Sequence, residues 1–181
     1  MTGHHDFGIT QVTHPHDADA AIRKQMTDCW IAVSNAGGAA GFPFPPVDAR
    51  QVAPAVDHLA SRLDPQQSRI LLALDSGTLT GWVAMSRDAN PLIAHWGTVN
   101  HLQTQPEYRS RGIGSALMHE LRRIARDEMD LEQLHLAVRG GVGLEDFYTR
   151  LGWRETGRWP GKLRLAPDDT RDEVLMILAP L

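Results

Sequence analysis

A chain of 181 residues is about one domain's length and can bury most of its apolar surface. Its net charge of −4 argues against a general nucleic-acid binder, which carries a basic excess. A single cysteine excludes an internal disulfide and suits a reducing cytosol, and no run approaches the ~20 apolar residues of a membrane span.

The expectation is one domain over 1–181 in the cytoplasm, with no membrane partner. The start Met1-Thr2-Gly3-His4-His5 lacks a basic flank leading into an apolar core, so residues 1–8 are expected as a flexible leader. His4, His5, His14 and His16 have no zinc-like spacing to cysteine or carboxylates, read as solvated chain, and no metal is expected.

Residues 9–13 alternate enough for a first strand, and Pro15, His16 and Asp17 offer a helix start. Ile22, Met26, Cys29, Trp30 and Val33 then recur at three- and four-residue spacing, one face of a helix running to about residue 35. Cys29 on that face, beside Trp30 and Ile31, reads as a buried structural thiol. Glycines and prolines forbid regular structure over 36–46. Asp48 with Gln51 three later resembles a capping box, opening a second helix that carries Val52, Val56, Leu59 and Leu63 before Pro65 stops it.

Strands at 70–74 and 79–85 flank the hairpin turn Asp75-Ser76-Gly77, and a longer strand over 94–105 follows Asn90-Pro91. From Gly112, the residues Ile113, Ala116, Leu117, Leu121, Ile124 and Ala125 form an apolar stripe opposite Arg122, Arg123 and Arg126. A strand at 133–138, a short helix at 144–150 ending at Gly152, and strands at 153–159 and 173–178 about the turn-rich Pro167-Asp168-Asp169 complete the chain. The order β-α-α-β-β-β-α-β-α-β-β implies an α/β (α+β) fold, a mixed sheet with helices on its faces.

The most informative run is Arg109-Ser110-Arg111-Gly112-Ile113-Gly114-Ser115-Ala116. Two glycines two apart let the backbone approach a ligand closely. A helix starting there aims unpaired N–H groups and the positive end of its dipole at an anion, and Arg109 and Arg111 add charge. The run reads as a phosphate cradle. A dinucleotide fingerprint would want a third glycine where Leu117 stands, and a Walker loop would want Ser or Thr where Leu163 follows Gly161-Lys162.

The run matches, at every fixed position, the Arg/Gln-x-x-Gly-x-Gly/Ala signature of the GCN5-related N-acetyltransferases (GNAT), which this chain resembles. Upstream, Leu102-Gln103-Thr104-Gln105-Pro106 is similar to that family's Leu-x-Val-x-Pro strand end, with Thr104 replacing Val. Downstream, Phe147-Tyr148-Thr149-Arg150-Leu151-Gly152-Trp153 is similar to its Phe-Tyr-x-x-Leu-Gly-Phe block. Residues 68–178 carry the resemblance, and the tail from 161 together with the Gly-rich stretch before Phe147 loosely resembles the tabtoxin-resistance acetyltransferases. The resemblance implies a GNAT fold: a mixed, mostly antiparallel sheet of about seven strands flanked by four helices, with strands four and five splayed around the pantetheine arm.

It also implies acetyl-CoA as co-substrate. The amides of Arg109, Ser110, Arg111, Gly112, Ile113, Gly114 and Ser115 would hold the pyrophosphate. Leu102 and Thr104 would pair with the pantetheine amides as a pseudo-strand, and a backbone N–H near Leu102 or Gln103 would polarise the thioester oxygen. Tyr148 corresponds to the general acid of many members and stays protonated at neutral pH. Members often place Glu or His where this chain has Thr98 and Asn100; neither takes a proton at neutral pH, so a relay through ordered water replaces a direct base. His101 has a suitable intrinsic pKa but faces away if the strand alternates regularly. Phe42, Phe44 and Trp159 are candidates to line the acceptor pocket, and Asp168, Asp169 or Asp172 to hold an ammonium.

The reading is an acetyl-CoA-dependent N-acetyltransferase acting on a primary amine of a small molecule by direct transfer in a ternary complex. The alternatives are a non-catalytic acyl-CoA sensor, favoured by the missing strand carboxylate, a protein or peptide N-acetyltransferase, and a nucleotide-binding protein using the same loop. Exposed strands and aromatics allow a homodimer.

Overall fold

The computed structural model describes residues 7–38, 41–42 and 45–181. Seven strands form one sheet in the order β1-β2-β3-β4-β5-β7-β6: β1 (Gly8–Val12), β2 (Ser68–Asp75), β3 (Thr78–Arg87), β4 (Trp96–Thr104), β5 (Gln133–Arg139), β6 (Arg154–Ala166) and β7 (Asp169–Leu178). All neighbours are antiparallel except β4 and β5. The helices are α1 (Ala20–Asn35), α2 (Ala49–Ser61), α3 (Ile113–Asp127) and α4 (Leu144–Arg150), with a short 3-10 turn at Pro106–Tyr108. This is the GNAT architecture that the sequence implied.

Alternation along the strands divides the interior into two cores. On one face Trp82, Ala84, Ile70 and Leu72 pack against Met26, Cys29 and Trp30 of α1 and Val52 and Val56 of α2. On the other, Leu71, Val83, Met85 and Val99 pack against Leu117, Leu121 and Ile124 of α3. Cys29 is fully buried among these side chains, and that burial pushes its thiol pKa up to about 12, which leaves it inert. Among the described residues no helix is long and apolar enough to cross a membrane.

Several element ends differ from expectation for identifiable reasons. Asp17 does not start α1. Its carboxylate accepts from the backbone N–H groups of Thr13 and His14 and closes a turn, while Asp19 caps the helix by accepting from Ile22 N at 2.8 Å. That turn brings His14 and His16 within 4.8 Å of Asp17, a grouping that their sequence spacing does not show. β1 begins at Gly8, with Phe7 packed on the core, so those two residues are not leader; His4, His5 and the rest of 1–6 lie outside the described residues. β6 runs through Pro160 and Gly161, where the sequence suggested a stop. As the sheet's edge strand it can hold a proline, and its register slips between Trp159 and Leu163.

The capping box at α2 is present, Asp48 accepting from Arg50 N at 2.9 Å and the Gln51 side chain from Asp48 N at 3.1 Å. We expect Asp48→Ala to lower unfolding free energy by about 1 kcal/mol with an unchanged urea m-value, since only a helix end is affected.

Candidate active site

Two irregularities of β4 create the site. β4 and β5 pair only at Trp96 with Gln133, Gly97 with Leu134 and Thr98 with His135. Beyond that both strands continue, to Thr104 and Arg139, and the sheet opens into a V. A cleft of about 1070 Å³ occupies the opening and extends from the start of α3 to the loop after α1 and the β6–β7 hairpin.

The second irregularity is a bulge. Trp82 pairs with Gln103 and Ala84 with Asn100, so His101 and Leu102 together oppose Val83 alone. His101 sits at φ 56° and absorbs the kink. The extra residue shifts the alternation by one. Asn100 and His101 both lie on the α1 face, while Leu102 packs on the α3 face. The expectation that His101 faces away from Thr98 and Asn100 is therefore corrected: its ring lies 4.6 Å from Trp30 and 6.1 Å from Trp82, and its edge reaches the cleft.

At the other end, Gly112 occupies the left-handed region at φ 81° and caps α3 without a side-chain bond. The first amide in that helix with a backbone acceptor is Ala116, bonded to Gly112 O at 2.9 Å. The N–H groups of Gly112, Ile113, Gly114 and Ser115 have no protein acceptor among the described residues, and all four residues line the cleft. Ser110, also left-handed at φ 61°, and Arg109 lie beside them, whereas Arg111 turns outward over the Tyr108 ring at 5.0 Å. A Cβ on Gly114 would stand 3.5 Å from Phe147, so the loop rests directly on α4. Such a row of unpaired amides at the positive end of a helix dipole binds phosphate.

Residues 47–159 match the acetyltransferase (GNAT) domain family. The chain belongs to the GNAT family. No curated protein matches the sequence closely enough to count as a relative. Among solved structures, a GNAT acetyltransferase from Streptococcus pneumoniae superposes with a TM-score of 0.75 at 18% identity, covering 96% of this chain and 99% of that one. The Salmonella typhimurium protein yncA, solved with its cofactor acetyl-CoA, gives 0.70 at 15% identity over 96% and 94% of the two chains. Nourseothricin acetyltransferase gives 0.55 at 27% identity over 65% and 68%. GNAT enzymes draw their acetyl group from acetyl-CoA, and the free amides at Gly112 to Ser115 are the donor set that a pyrophosphate requires.

The GNAT fold brings most sequence-predicted residues to this cleft. Thr98, Asn100, Leu102, Thr104 and Tyr148 line it together with the loop. Gln103 does not: its side chain is buried on the α1 face of the sheet, and neither amide atom is hydrogen-bonded among the described residues. Tyr148 is 6% exposed, its ring packed edge-on to Phe147 at 5.0 Å and Trp153 at 5.8 Å. Burial alone raises its phenol pKa, with no hydrogen bond among the described residues contributing.

Of the acceptor candidates, Phe42 lines the cleft and packs edge-on against Trp30, Phe44 lies outside the described residues, and Trp159 sits half-exposed beside the cleft with the Lys162 ammonium 3.7 Å above its ring. The three aspartates are absent from the cleft wall. Asp169 pairs with Arg171, Asp172 accepts from Gly161 N at 2.9 Å and pairs with Arg158, and Asp168 lies at the hairpin turn. The residues there instead are Arg139, Lys162, Arg164 and Glu173, which sequence reasoning did not single out. Arg139 stands at the end of β5, while Lys162, Arg164 and Glu173 lie within β6 and β7, where nothing in the sequence marks them.

Burial lowers the His101 pKa below the ordinary value of 6.5, and His135, stacked on Trp96, shifts the same way. A histidine depressed on folding binds fewer protons folded than unfolded, so its penalty is absent above the unfolded pKa and grows as pH falls through it toward the folded one. We expect stability to fall from about pH 7 to about pH 5, and His101→Asn, which tolerates the left-handed backbone, to flatten that fall in urea titrations at the two pH values.

Proposed function

We propose that this GNAT enzyme acetylates a primary amine of a small molecule by direct attack in a ternary complex. The carrying observation is that the free amides at the start of α3 and Tyr148 line one cleft at the β4–β5 splay. Acetyl-CoA supplies a thioester activated toward amines. The amides of Gly112 to Ser115, with Arg109, hold its pyrophosphate, and the unpaired edge of β4 at Leu102 and Thr104 orients the pantetheine. Backbone N–H groups at the bulge, where His101 and Leu102 have no ladder partner, polarise the thioester carbonyl.

Thr98 and Asn100, on the α1 face, order the water that carries away the amine's proton. Tyr148, kept protonated by burial, gives a proton to the departing sulfur. Cys29 is sealed in the core and carries no acetyl group.

The test is thiol release from acetyl-CoA with a panel of polyamines, aminoglycosides, amino acids and short peptides, alongside calorimetric CoA binding. Amine-dependent release supports the transferase. Tight CoA binding with no release from any acceptor returns the chain to an acyl-CoA sensor.

A further inference from the structure

The acceptor end of the cleft carries the opposite charge from that expected of a site built to grip an ammonium. Arg139 ends β5, Lys162 and Arg164 come from β6, and the carboxylate on that part of the wall, Glu173, is ion-paired with Lys162. Arg139 is the unusual member. Glu173 stands opposite it in the β5–β7 register, yet Arg139 forms no ion pair among the described residues.

Its Nη1 and Nη2 donate to the carbonyls of Gly37 and Gly38 at 3.4 and 3.5 Å, the outer limit of a hydrogen bond, and its Nε is buried with no partner among the described residues. The carboxylate that acts on it most strongly, Asp169, is already taken by Arg171. A half-buried guanidinium without an anion is costly, and its planar fork matches an oxyanion bidentately. Arg164 lines the same wall, exposed and with no ion pair among the described residues.

Resting on the transferase reading above, we propose that Arg139, assisted by Arg164, is the anion subsite for the acceptor, so that the acceptor is an amine bearing an acidic group, as in an amino acid. The position of Arg139 sets it apart from the phosphate loop. Arg139 shares its strand face with His135 and Ala137, bonds the loop after α1, and lies across the sheet from the α3 face where the phosphate loop sits. The subsite fixes one end of the acceptor and leaves its amine free to reach Thr98 and Asn100.

The experiment measures thiol release by the full chain at fixed acetyl-CoA with matched series: the common α-amino acids, their primary amides, and the corresponding decarboxylated amines. We expect the acids to exceed their amides in kcat/KM by about 10- to 100-fold, the range of one charge-assisted contact. Arg139→Gln should raise KM for the acids by a similar factor, with kcat, turnover of the amides, and calorimetric CoA affinity little changed. Equal use of acids and amides overturns the proposal while leaving the transferase intact. So does an Arg139→Gln variant that loses acid and amide turnover alike, because that marks a structural strut to the loop, or one that loses CoA affinity. Thiol release from no acceptor, despite CoA binding, overturns the transferase reading and this subsite with it.

Discussion

Replacing Tyr148 by Phe should lower kcat by about 100-fold while leaving acetyl-CoA affinity and the fold unchanged. Positioned general acids contribute roughly 10²–10⁴-fold, and water entering a cleft of this size supplies part of the proton demand in the variant, which places the loss at the lower end. The ring itself is retained, so its edge-on contacts with Phe147 and Trp153 survive, and removing a hydroxyl that bonds to no described protein group leaves no partner unsatisfied. Because burial raises the phenol above its ordinary value of 10.0, the wild-type rate should show no alkaline decline from this group below about pH 10. Comparing kcat, KM for acetyl-CoA and the pH–rate profile of the two proteins checks each part. An unchanged kcat removes Tyr148 from the mechanism.

The parts of this protein that depend on local sequence were readable from it, and the parts that depend on irregular pairing were not. The loop from Arg109 to Ser115 announces itself because its glycines, its arginines and the apolar stripe of α3 are contiguous, and the structure leaves the amides of Gly112 to Ser115 unpaired at the helix start. The capping box of α2 and the hairpin at Asp75-Ser76-Gly77 are likewise set by neighbours in the chain.

His101 could not be placed in this way. Its direction is decided by a bulge of one residue against β3, and no turn residue marks the bulge, since the strained position is held by a histidine packed on Trp30 and Trp82. The acidic tail misled for a related reason. Asp169 and Asp172 look free in sequence but meet Arg171 and Arg158 across or within the hairpin, while Arg139, just past the strand read at 133–138, forms no ion pair among the described residues. Long-range partner choice distributes the charges of the acceptor end, and a single sequence does not record it.

Gly112→Ala should divide a fixed energetic cost between stability and donor affinity. At φ 81° an L-residue is strained by roughly 1–2 kcal/mol, and nothing lies within 4 Å of where the new Cβ would be, so sterics against neighbours add nothing. If the loop keeps its conformation without ligand, the whole strain appears as lost unfolding free energy and acetyl-CoA affinity is unchanged. If the loop relaxes to negative φ when empty, the amides of Ile113 to Ser115 swing away from the cleft, stability is preserved, and binding must restore the strained form. The cost then appears as a Kd raised about 5- to 30-fold, at 1.4 kcal/mol per factor of ten.

The amides of Gly112 to Ser115 have no partners among the described residues to hold them in place, so we expect the second outcome to dominate, with most of the loss in calorimetric Kd and little in the urea midpoint. Gly114→Ala provides the contrast. Its Cβ meets Phe147 at ordinary van der Waals distance and its backbone is helical, so it should bind acetyl-CoA within about threefold of wild type. A Gly112→Ala protein that retains both full stability and full affinity would show that the left-handed turn at the start of α3 is not what aims the amides at the phosphate.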